Sequence, residues 1–195
     1  ELPNGVSGNP IPKIGYHGWT TWELAFDGCK VAANKMIGEP GKAFYLATAG
    51  LETARAHTAA RSIGLAQAAL DDSIAYAKER RQFGQAIGSF QAIRFKIATM
   101  ATKIDAARLL TYRAIDMVER GARADKECAM AKWFGTEIAV TAARDAVEIH
   151  GGNGVTKEFI VERLAREAIV SPIPDGTTEI QKLIISRALT GEQAF

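Results

Sequence analysis

The sequence has little cysteine and no long apolar stretch, and both absences exclude classes of protein. Its 195 residues contain two cysteines, Cys29 and Cys128, and neither lies in a CxxC motif or beside a histidine. A zinc site and a disulfide framework are therefore not expected, and a reducing compartment is favoured. No run of about 18 apolar residues is present, so we expect no membrane-spanning helix. No signal-peptide pattern opens the chain, whose first residues are typical of the interior of a longer protein.

The charges are balanced, with 24 basic and 22 acidic residues and a formal net charge of +2. Both signs are mixed along the chain, so there is no polybasic arm for nucleic acid and no acidic tail. The apolar content of 47% is enough for one substantial core at this length. We therefore expect a globular chain without a nucleic-acid partner, in which charged residues serve local sites.

The pattern of apolar residues changes near residue 38. Four of the six prolines lie in the first 40 residues, where Trp22, Leu24 and Phe26 alternate with other residues as in a half-buried strand. After this point, alanine-rich segments with apolar residues three and four apart predict helices. They cover about residues 43–81, 90–120, 130–150, 157–170 and 177–189. Such helices with short connections indicate a mainly α fold, an up-and-down four-helix bundle with a short β-rich N-terminal segment.

Three motifs follow one another in the helical part of the chain. The first is Glu79-Arg80-Arg81-Gln82-Phe83-Gly84, with Phe90-Gln91 behind it, and the second is Glu148-Ile149-His150-Gly151-Gly152-Asn153-Gly154. The third is Arg166-Glu167-Ala168 followed by Pro174-Asp175-Gly176-Thr177-Thr178-Glu179-Ile180-Gln181. In their order and spacing they resemble the acyl-CoA dehydrogenase family pattern R-x-x-F-G…Q, Q-x-x-G-G-x-G and R-D-A…E-G-T-x-x-I-Q.

The resemblance implies a domain organisation and a set of partners. Residues 1–38 would be the incomplete end of the family's middle β-domain, and residues 39–195 its C-terminal helical bundle domain. FAD is implied as cofactor, an acyl-CoA as substrate and electron-transfer flavoprotein as electron acceptor. A homotetramer, arranged as a dimer of dimers with shared flavin sites, is implied as well. The implied compartment is the bacterial cytoplasm or the mitochondrial matrix.

The family's cofactor contacts can be carried onto matching residues. Arg80 would bind the flavin pyrophosphate with its guanidinium fork, and Phe83 would pack on the cofactor. The other implied cofactor residues are Gln82, Ile87, Gln91, Glu148, Gly151, Gly152, Thr177 and Glu179. Without the resemblance, Arg80 in the last turn of a helix would only complement the helix dipole, and the two glycines would only stop a helix. Glu148 replaces a glutamine of the family pattern, and its charge would repel a diphosphate.

Asp175 takes the place of the glutamate that removes the α-proton of an acyl-CoA thioester, and Gly176 would contact the substrate. Proton removal needs a nearby base, and enclosure makes a carboxylate more basic. Aspartate is one methylene shorter, and a displacement of about 1 Å can cost on the order of a hundredfold in rate. The substrate could lie closer to the backbone, could be a different acid, or the site could be weak or silent. From the residues alone, Pro-Asp-Gly before a helix is typical of a capping turn.

Arg55 would lie near the CoA portion of the substrate, and a surface ion pair with Glu52 is the alternative. Some family members place the glutamate base directly before this arginine, where this sequence has Ala54. Glu52 lies two positions further back, a rotation of about 200° on a helix, so it is expected to point away. Trp19, Trp22 and Trp133 are expected to pack in a core or an interface.

The implied activity is FAD-dependent oxidation of an acyl-CoA to the 2,3-enoyl-CoA. Two other functions fit the same motifs. A nitroalkane-oxidase-like flavoprotein would use Asp175 to deprotonate a different carbon acid. A non-catalytic partner subunit would use the same fold with Asp175 only as a helix cap. The chain alone would form an incomplete flavin site.

Overall fold

The computed structural model describes residues 3–192, which form a bundle of α-helices preceded by a β-hairpin. The helices are α1 (Ala43–Glu79), α2 (Gln91–Glu119), α3 (Asp125–His150), α4 (Ile160–Val170) and α5 (Thr178–Thr190). The expected fold class, a mainly α bundle with a short β-rich segment at its start, is confirmed. None of the helices in residues 3–192 is long and apolar enough to cross a membrane.

The N-terminal hairpin pairs β1 (Val6–Ile11) with β2 (Thr21–Phe26) in antiparallel register, with Val6 opposite Phe26. The sequence predicted β2, whereas β1 escaped prediction because its glycine and proline are poor strand residues. The expected half-buried face of β2 is wrong for this chain. Trp22, Leu24 and Phe26 are 45%, 48% and 69% exposed, since no second layer in residues 3–192 covers the hairpin.

The core of the bundle lies between α1, α2 and α3 and consists largely of alanine. Ala59, Ala66 and Ala69 on α1 are fully buried, as is Ala139 on α3. Alanines three, four and seven residues apart share one helix face, so their methyl groups form a flat seam between the helices. Gly135 on α3 lies against Ala59, and a Cβ there would be 3.4 Å from the Ala59 carbonyl oxygen. Small side chains therefore bring the axes of α1 and α3 close together.

Helix α1 ends at Glu79, earlier than the predicted end at residue 81. Arg81 and Gln82 leave the helix to form β3 (Arg81–Gln82), which pairs with β4 (Gln85–Ala86). The two residues between the strands, Phe83 and Gly84, have φ angles of 51° and 81°, as in a two-residue type I′ hairpin turn. The prediction that Arg80 and Arg81 lie in the last helical turn is therefore wrong. Arg80 is the C-cap and Arg81 is a strand residue.

The tryptophans do not fill the core. Trp19 is 62% exposed and Trp133 is 36% exposed. A cation lies over each ring: the Arg61 guanidinium 4.8 Å from the Trp19 centroid, and the Lys182 ammonium 5.1 Å from the Trp133 centroid. The core interpretation of these residues is wrong within residues 3–192, and such surface contacts contribute about 0.5–1 kcal/mol each.

Candidate active site

Asp175 lies in the loop between α4 and α5 and has an unusual backbone. Its φ angle is 58°, in the left-handed region, and the following Gly176 has a φ angle of 95°. This conformation costs most residues with a Cβ about 1–2 kcal/mol, and aspartate adopts it more readily than most. Such strain persists where the surrounding structure determines it, and it is concentrated at functional sites.

The carboxylate of Asp175 is held by helix α1. Thr58 donates its hydroxyl hydrogen to Oδ2 of Asp175, with the two oxygens 2.5 Å apart. The N-cap of α5 is Thr177, two residues later. The interpretation of Asp175 as a helix cap is therefore wrong, because its side chain reaches across to another helix and Thr177 is the N-cap of α5.

The backbone of this loop is fixed from two further helices. Lys132 on α3 is fully buried, and its Nζ donates to the carbonyl oxygens of Pro172 at 2.6 Å and Gly176 at 2.7 Å. Gln181 on α5, also fully buried, donates its Nε2 hydrogens to the carbonyl oxygens of Asp175 at 3.1 Å and Gly176 at 2.8 Å. Burial lowers the pKa of Lys132 to about 8, and the nearby carboxylates of Asp175 and Glu137 oppose the shift.

Sequence reasoning missed Thr58, Lys132 and Gln181. A signal for Lys132 was present, because it shares one face of α3 with Cys128, Gly135 and Ala139, which the helical period makes a packing face. A charged residue on such a face requires partners when it is buried. Thr58 gave no comparable signal, since a threonine inside an alanine-rich helix is most often bonded to its own helix.

Arg55 and Glu52 do not form the ion pair that was the alternative for Arg55. Arg55 is 9% exposed and lies three residues before Thr58 on α1. Its Nε is buried and has no hydrogen-bond partner within residues 3–192. Glu52 instead accepts a hydrogen bond from the backbone N–H of Ala124, 2.8 Å away, at the start of α3. Glu52 is therefore occupied elsewhere, in agreement with its expected orientation away from Asp175.

Five of the predicted cofactor residues line one cavity at the C-terminal end of α1. Arg80, Gln82, Ile87, Gly151 and Gly152 surround a space of about 270 Å³. Tyr76 supports its wall, because its ring stacks on His150 at a centroid distance of 4.1 Å and its hydroxyl oxygen accepts from Asn153 at 3.0 Å. The Arg80 guanidinium forms no ion pair with any carboxylate in the described part of the chain.

The three glycines of the second motif have different structural roles. Gly151 is the C-cap of α3 and has a φ angle of 57°, which favours glycine. At Gly154 a Cβ would lie 2.4 Å from the Val147 carbonyl oxygen, so packing inside the chain requires glycine. A Cβ on Gly152 would meet no atom within 4 Å. Packing within residues 3–192 therefore does not require glycine at position 152, where bare backbone lines the cavity.

The remaining predicted cofactor residues are spread over four places. Phe83 is 91% exposed at the tip of the β3–β4 turn, and Gln91 is exposed at the start of α2. Glu148 is on the surface in an ion pair with Lys96, 2.5 Å away, and that hydrogen bond lowers the pKa of Glu148. Thr177 and Glu179 lie beside Asp175, where the backbone N–H of Glu179 and then the Thr177 hydroxyl lower the pKa of the Glu179 carboxyl.

The two clusters of predicted residues are far apart within one chain. Thr58 contacts Asp175, and Tyr76 lines the cavity. These residues are 18 positions apart on α1, which is about 27 Å along the helix at a rise of 1.5 Å per residue. A ligand of ordinary size therefore does not touch both clusters of the same chain.

Proteins of known family resemble this chain over most of its length. Residues 41–190 match the family described as "Acyl-CoA dehydrogenase, C-terminal domain". An acyl-CoA dehydrogenase of Bacillus subtilis is 46% identical over 98% of this chain and 50% of its own length. A caffeyl-CoA reductase-Etf complex subunit of Acetobacterium woodii is 44% identical over 95% of this chain and 49% of its own length.

Solved structures give the same result. Butyryl-CoA dehydrogenase from Megasphaera elsdenii superposes with a TM-score of 0.93 at 38% identity, over 95% of this chain and 49% of that chain. The chain belongs to the acyl-CoA dehydrogenase family, whose members are flavoprotein oxidoreductases, and the resemblance of its motifs is confirmed. It spans about half the length of the curated relatives it matches.

Proposed function

We propose that this chain provides the catalytic base and part of the FAD site of an acyl-CoA dehydrogenase. The reaction converts an acyl-CoA to its 2,3-enoyl-CoA. Family membership supports the reaction class, and the Asp175 carboxylate in its strained loop is the observation that carries the assignment. Within this proposal, residues 1–38 belong to the middle β-domain and residues 39–195 form the C-terminal domain.

The proton transfer is assigned to Asp175. One carboxylate oxygen accepts a hydrogen bond from Thr58, which leaves the other oxygen to take the α-proton of the thioester. As the proton leaves, negative charge develops on the thioester oxygen and requires hydrogen-bond donors. The backbone N–H of Asp175 has no acceptor within residues 3–192 and is a candidate donor. Arg55, with its unpartnered Nε, is assigned to the CoA portion of the substrate.

The cavity at the end of α1 has the chemistry of a diphosphate site. The unpaired Arg80 guanidinium provides a bidentate donor, and the bare backbone at Gly152 permits close approach. Gln82, Ile87 and Gly151 complete the lining, and Phe83 and Gln91, which do not line this cavity, are assigned to cofactor contacts outside it. When bound, FAD would accept the hydride that leaves the β-carbon of the substrate. Glu148 has its charge compensated by Lys96, which reduces its repulsion of the diphosphate.

A homotetramer with shared flavin sites agrees with the separation of the two clusters. The diphosphate and the flavin ring of one FAD are joined by a short ribityl chain, whereas the clusters are about 27 Å apart along α1. One FAD would therefore contact the Arg80 cluster of one chain and Asp175, Thr177 and Glu179 of another. Electron-transfer flavoprotein is proposed as the acceptor, and one relative is named as a subunit of an Etf complex.

The reverse reaction is the second candidate, because that same relative is named a caffeyl-CoA reductase. Reduction of an enoyl-CoA would use the same groups in reverse order. Asp175 would then carry a proton and deliver it to the α-carbon, while hydride arrives at the β-carbon.

The decisive experiment is anaerobic mixing of the holoenzyme with a series of acyl-CoAs and, separately, with nitroalkanes. We expect flavin bleaching with an acyl-CoA and none with nitroalkanes. Reoxidation of the reduced enzyme by enoyl-CoAs then measures the opposite direction. Bleaching by nitroalkanes alone would instead support the nitroalkane-oxidase-like function.

Asp175→Asn tests the base. Asparagine tolerates the left-handed backbone and still accepts from Thr58, but it cannot take a proton. Flavin reduction is expected to slow by about 10²–10⁴-fold. Asp71→Asn, which removes an exposed carboxylate on α1, is the matched control. An unchanged reduction rate in Asp175→Asn would show that Asp175 is not the base.

A further inference from the structure

Lys132 is a buried cation whose hydrogen bonds go to backbone rather than to a carboxylate. Its side chain is fully buried, and it forms no ion pair within residues 3–192. Its two hydrogen bonds, to the Pro172 and Gly176 carbonyl oxygens, are 2.6 and 2.7 Å long. A buried ammonium is expensive unless its N–H groups are well bonded, and an apolar residue usually stabilises such a position as well or better. Stability alone therefore does not account for Lys132.

The two carbonyl groups lie on both sides of Asp175, one three residues before it and one directly after it. The two consecutive left-handed residues, Asp175 and Gly176, require this segment to be fixed at both ends. Gln181 also binds the carbonyl groups of Asp175 and Gly176. In the described residues, only Lys132 binds the Pro172 carbonyl.

The charges around Lys132 keep its ammonium form at neutral pH. Glu137, on the same helix, faces α5 and accepts from Thr178 at 2.8 Å. Asp175, Glu137 and Glu179 favour the charged lysine, while burial and Arg55 oppose it. The nearby carboxylates thus balance the positive charge of Lys132 without bonding to it, and its N–H groups stay available for the loop.

We infer that Lys132 is the positioning residue for the base, because its ammonium group fixes the 172–176 loop on both sides of Asp175. This inference deepens the proposed function and rests on it. Lys132 does not touch the substrate; it acts through the orientation of the Asp175 carboxylate. A displacement of that carboxylate by about 1 Å slows proton transfer by on the order of a hundredfold.

The test is Lys132→Met in the holoenzyme, with Thr136→Val as matched control. Thr136 is also fully buried on α3, and within residues 3–192 its hydroxyl bonds only to the Lys132 and Trp133 carbonyl oxygens of its own helix. Single-turnover flavin reduction is followed with the acyl-CoA that bleaches the wild type, carrying either hydrogen or deuterium at the α-carbon. Lys132→Met is expected to slow reduction by about 10–100-fold, with a full α-deuterium isotope effect and little change in KM. Lys132→Gln replaces it if the methionine variant does not fold.

Amide hydrogen exchange gives a second measurement that does not need turnover. Residues 172–176 are expected to exchange faster in Lys132→Met, whereas α1 and α3 stay protected. Unchanged exchange in the loop, or equal slowing of reduction in Thr136→Val, would overturn the inference. If no acyl-CoA bleaches the wild-type flavin, the proposed function fails, and loop exchange still shows whether Lys132 holds the loop.

Discussion

The middle and the C-terminal end of helix α1 handle polar groups in opposite ways. Near Thr58, the polar groups of the Asp175 loop are bonded inside the chain to α1, α3 and α5. Near Tyr76, the Arg80 guanidinium faces a cavity and has no hydrogen-bond or ion-pair partner in residues 3–192, and a Cβ on Gly152 would enter open space there. The first arrangement orients a reactive group, and the second presents groups to a ligand. Substitutions near Thr58 should therefore change the rate of flavin reduction, and substitutions near Arg80 should change the affinity for FAD.

The largest effect expected at the cavity end comes from Arg80→Ala. Loss of charge-assisted hydrogen bonds to a diphosphate costs about 2–3 kcal/mol, or roughly 30–140-fold in the Kd of FAD. Arg81→Ala, the adjacent exposed arginine, is the control and should bind FAD almost as the wild type does. Both affinities are measured by fluorescence titration of the apoprotein. Equal weakening in the two variants would show that only general positive charge matters there.

The glycine pair separates packing from ligand approach. In Gly154→Ala the new methyl group meets the Val147 carbonyl oxygen at 2.4 Å, so the free energy of unfolding should fall by about 1–3 kcal/mol. In Gly152→Ala the methyl group enters open space, so stability should hold while FAD binding weakens. Urea denaturation and FAD titration of both variants measure the two effects. The comparison breaks if Gly152→Ala binds FAD normally.

In the middle of α1, Thr58→Val removes the hydroxyl that orients Asp175 and keeps the side-chain shape. Loss of this hydrogen bond is expected to raise the barrier to flavin reduction by about 1 kcal/mol, roughly fivefold in rate. FAD affinity should change little, because Thr58 contacts the Asp175 carboxylate and does not line the Arg80 cavity. Thr58→Ser retains the hydroxyl and should restore the rate. A serine variant as slow as the valine variant would assign the effect to packing.

Lys96→Met should have the smallest effect, because its partners Asp145 and Glu148 are near the surface. Surface ion pairs contribute about 0–1 kcal/mol. The pKa of Glu148 is lowered in the fold, so its share of the stability is present above its ordinary pKa and is lost as pH falls through the folded value. The stability gap between Lys96→Met and wild type should therefore shrink on acidification. Lys103→Met, an exposed lysine on α2, is the control, and urea unfolding between neutral and acidic pH measures the gap.

The parts of this molecule that followed from its sequence are those with a local cause. Alanine content and helical periodicity predicted α1 to α5, and the motifs led to Asp175 and to the residues of the Arg80 cavity. The end of α1 was missed because the turn at Phe83-Gly84 lets β3 and β4 pair, and a positive φ at phenylalanine has no clear sequence signal. The contacts of Asp175 were also missed. Thr58 and Lys132 are 117 and 43 residues from it in the chain, and helix packing alone brings them together.

The alanine seam between α1 and α3 has a mechanical consequence. Methyl groups offer no alternative rotamers, and the close packing of Gly135 against Ala59 leaves little space between α1 and α3. Helices α1 and α3 therefore form a rigid pair, which keeps the distance between the Asp175 loop and the Arg80 cavity constant. Any motion that admits a ligand or releases a product must then occur in the loops and hairpin turns that connect to α1 and α3. Adaptation to a new substrate would accordingly begin with changes in the 171–177 loop rather than in the core.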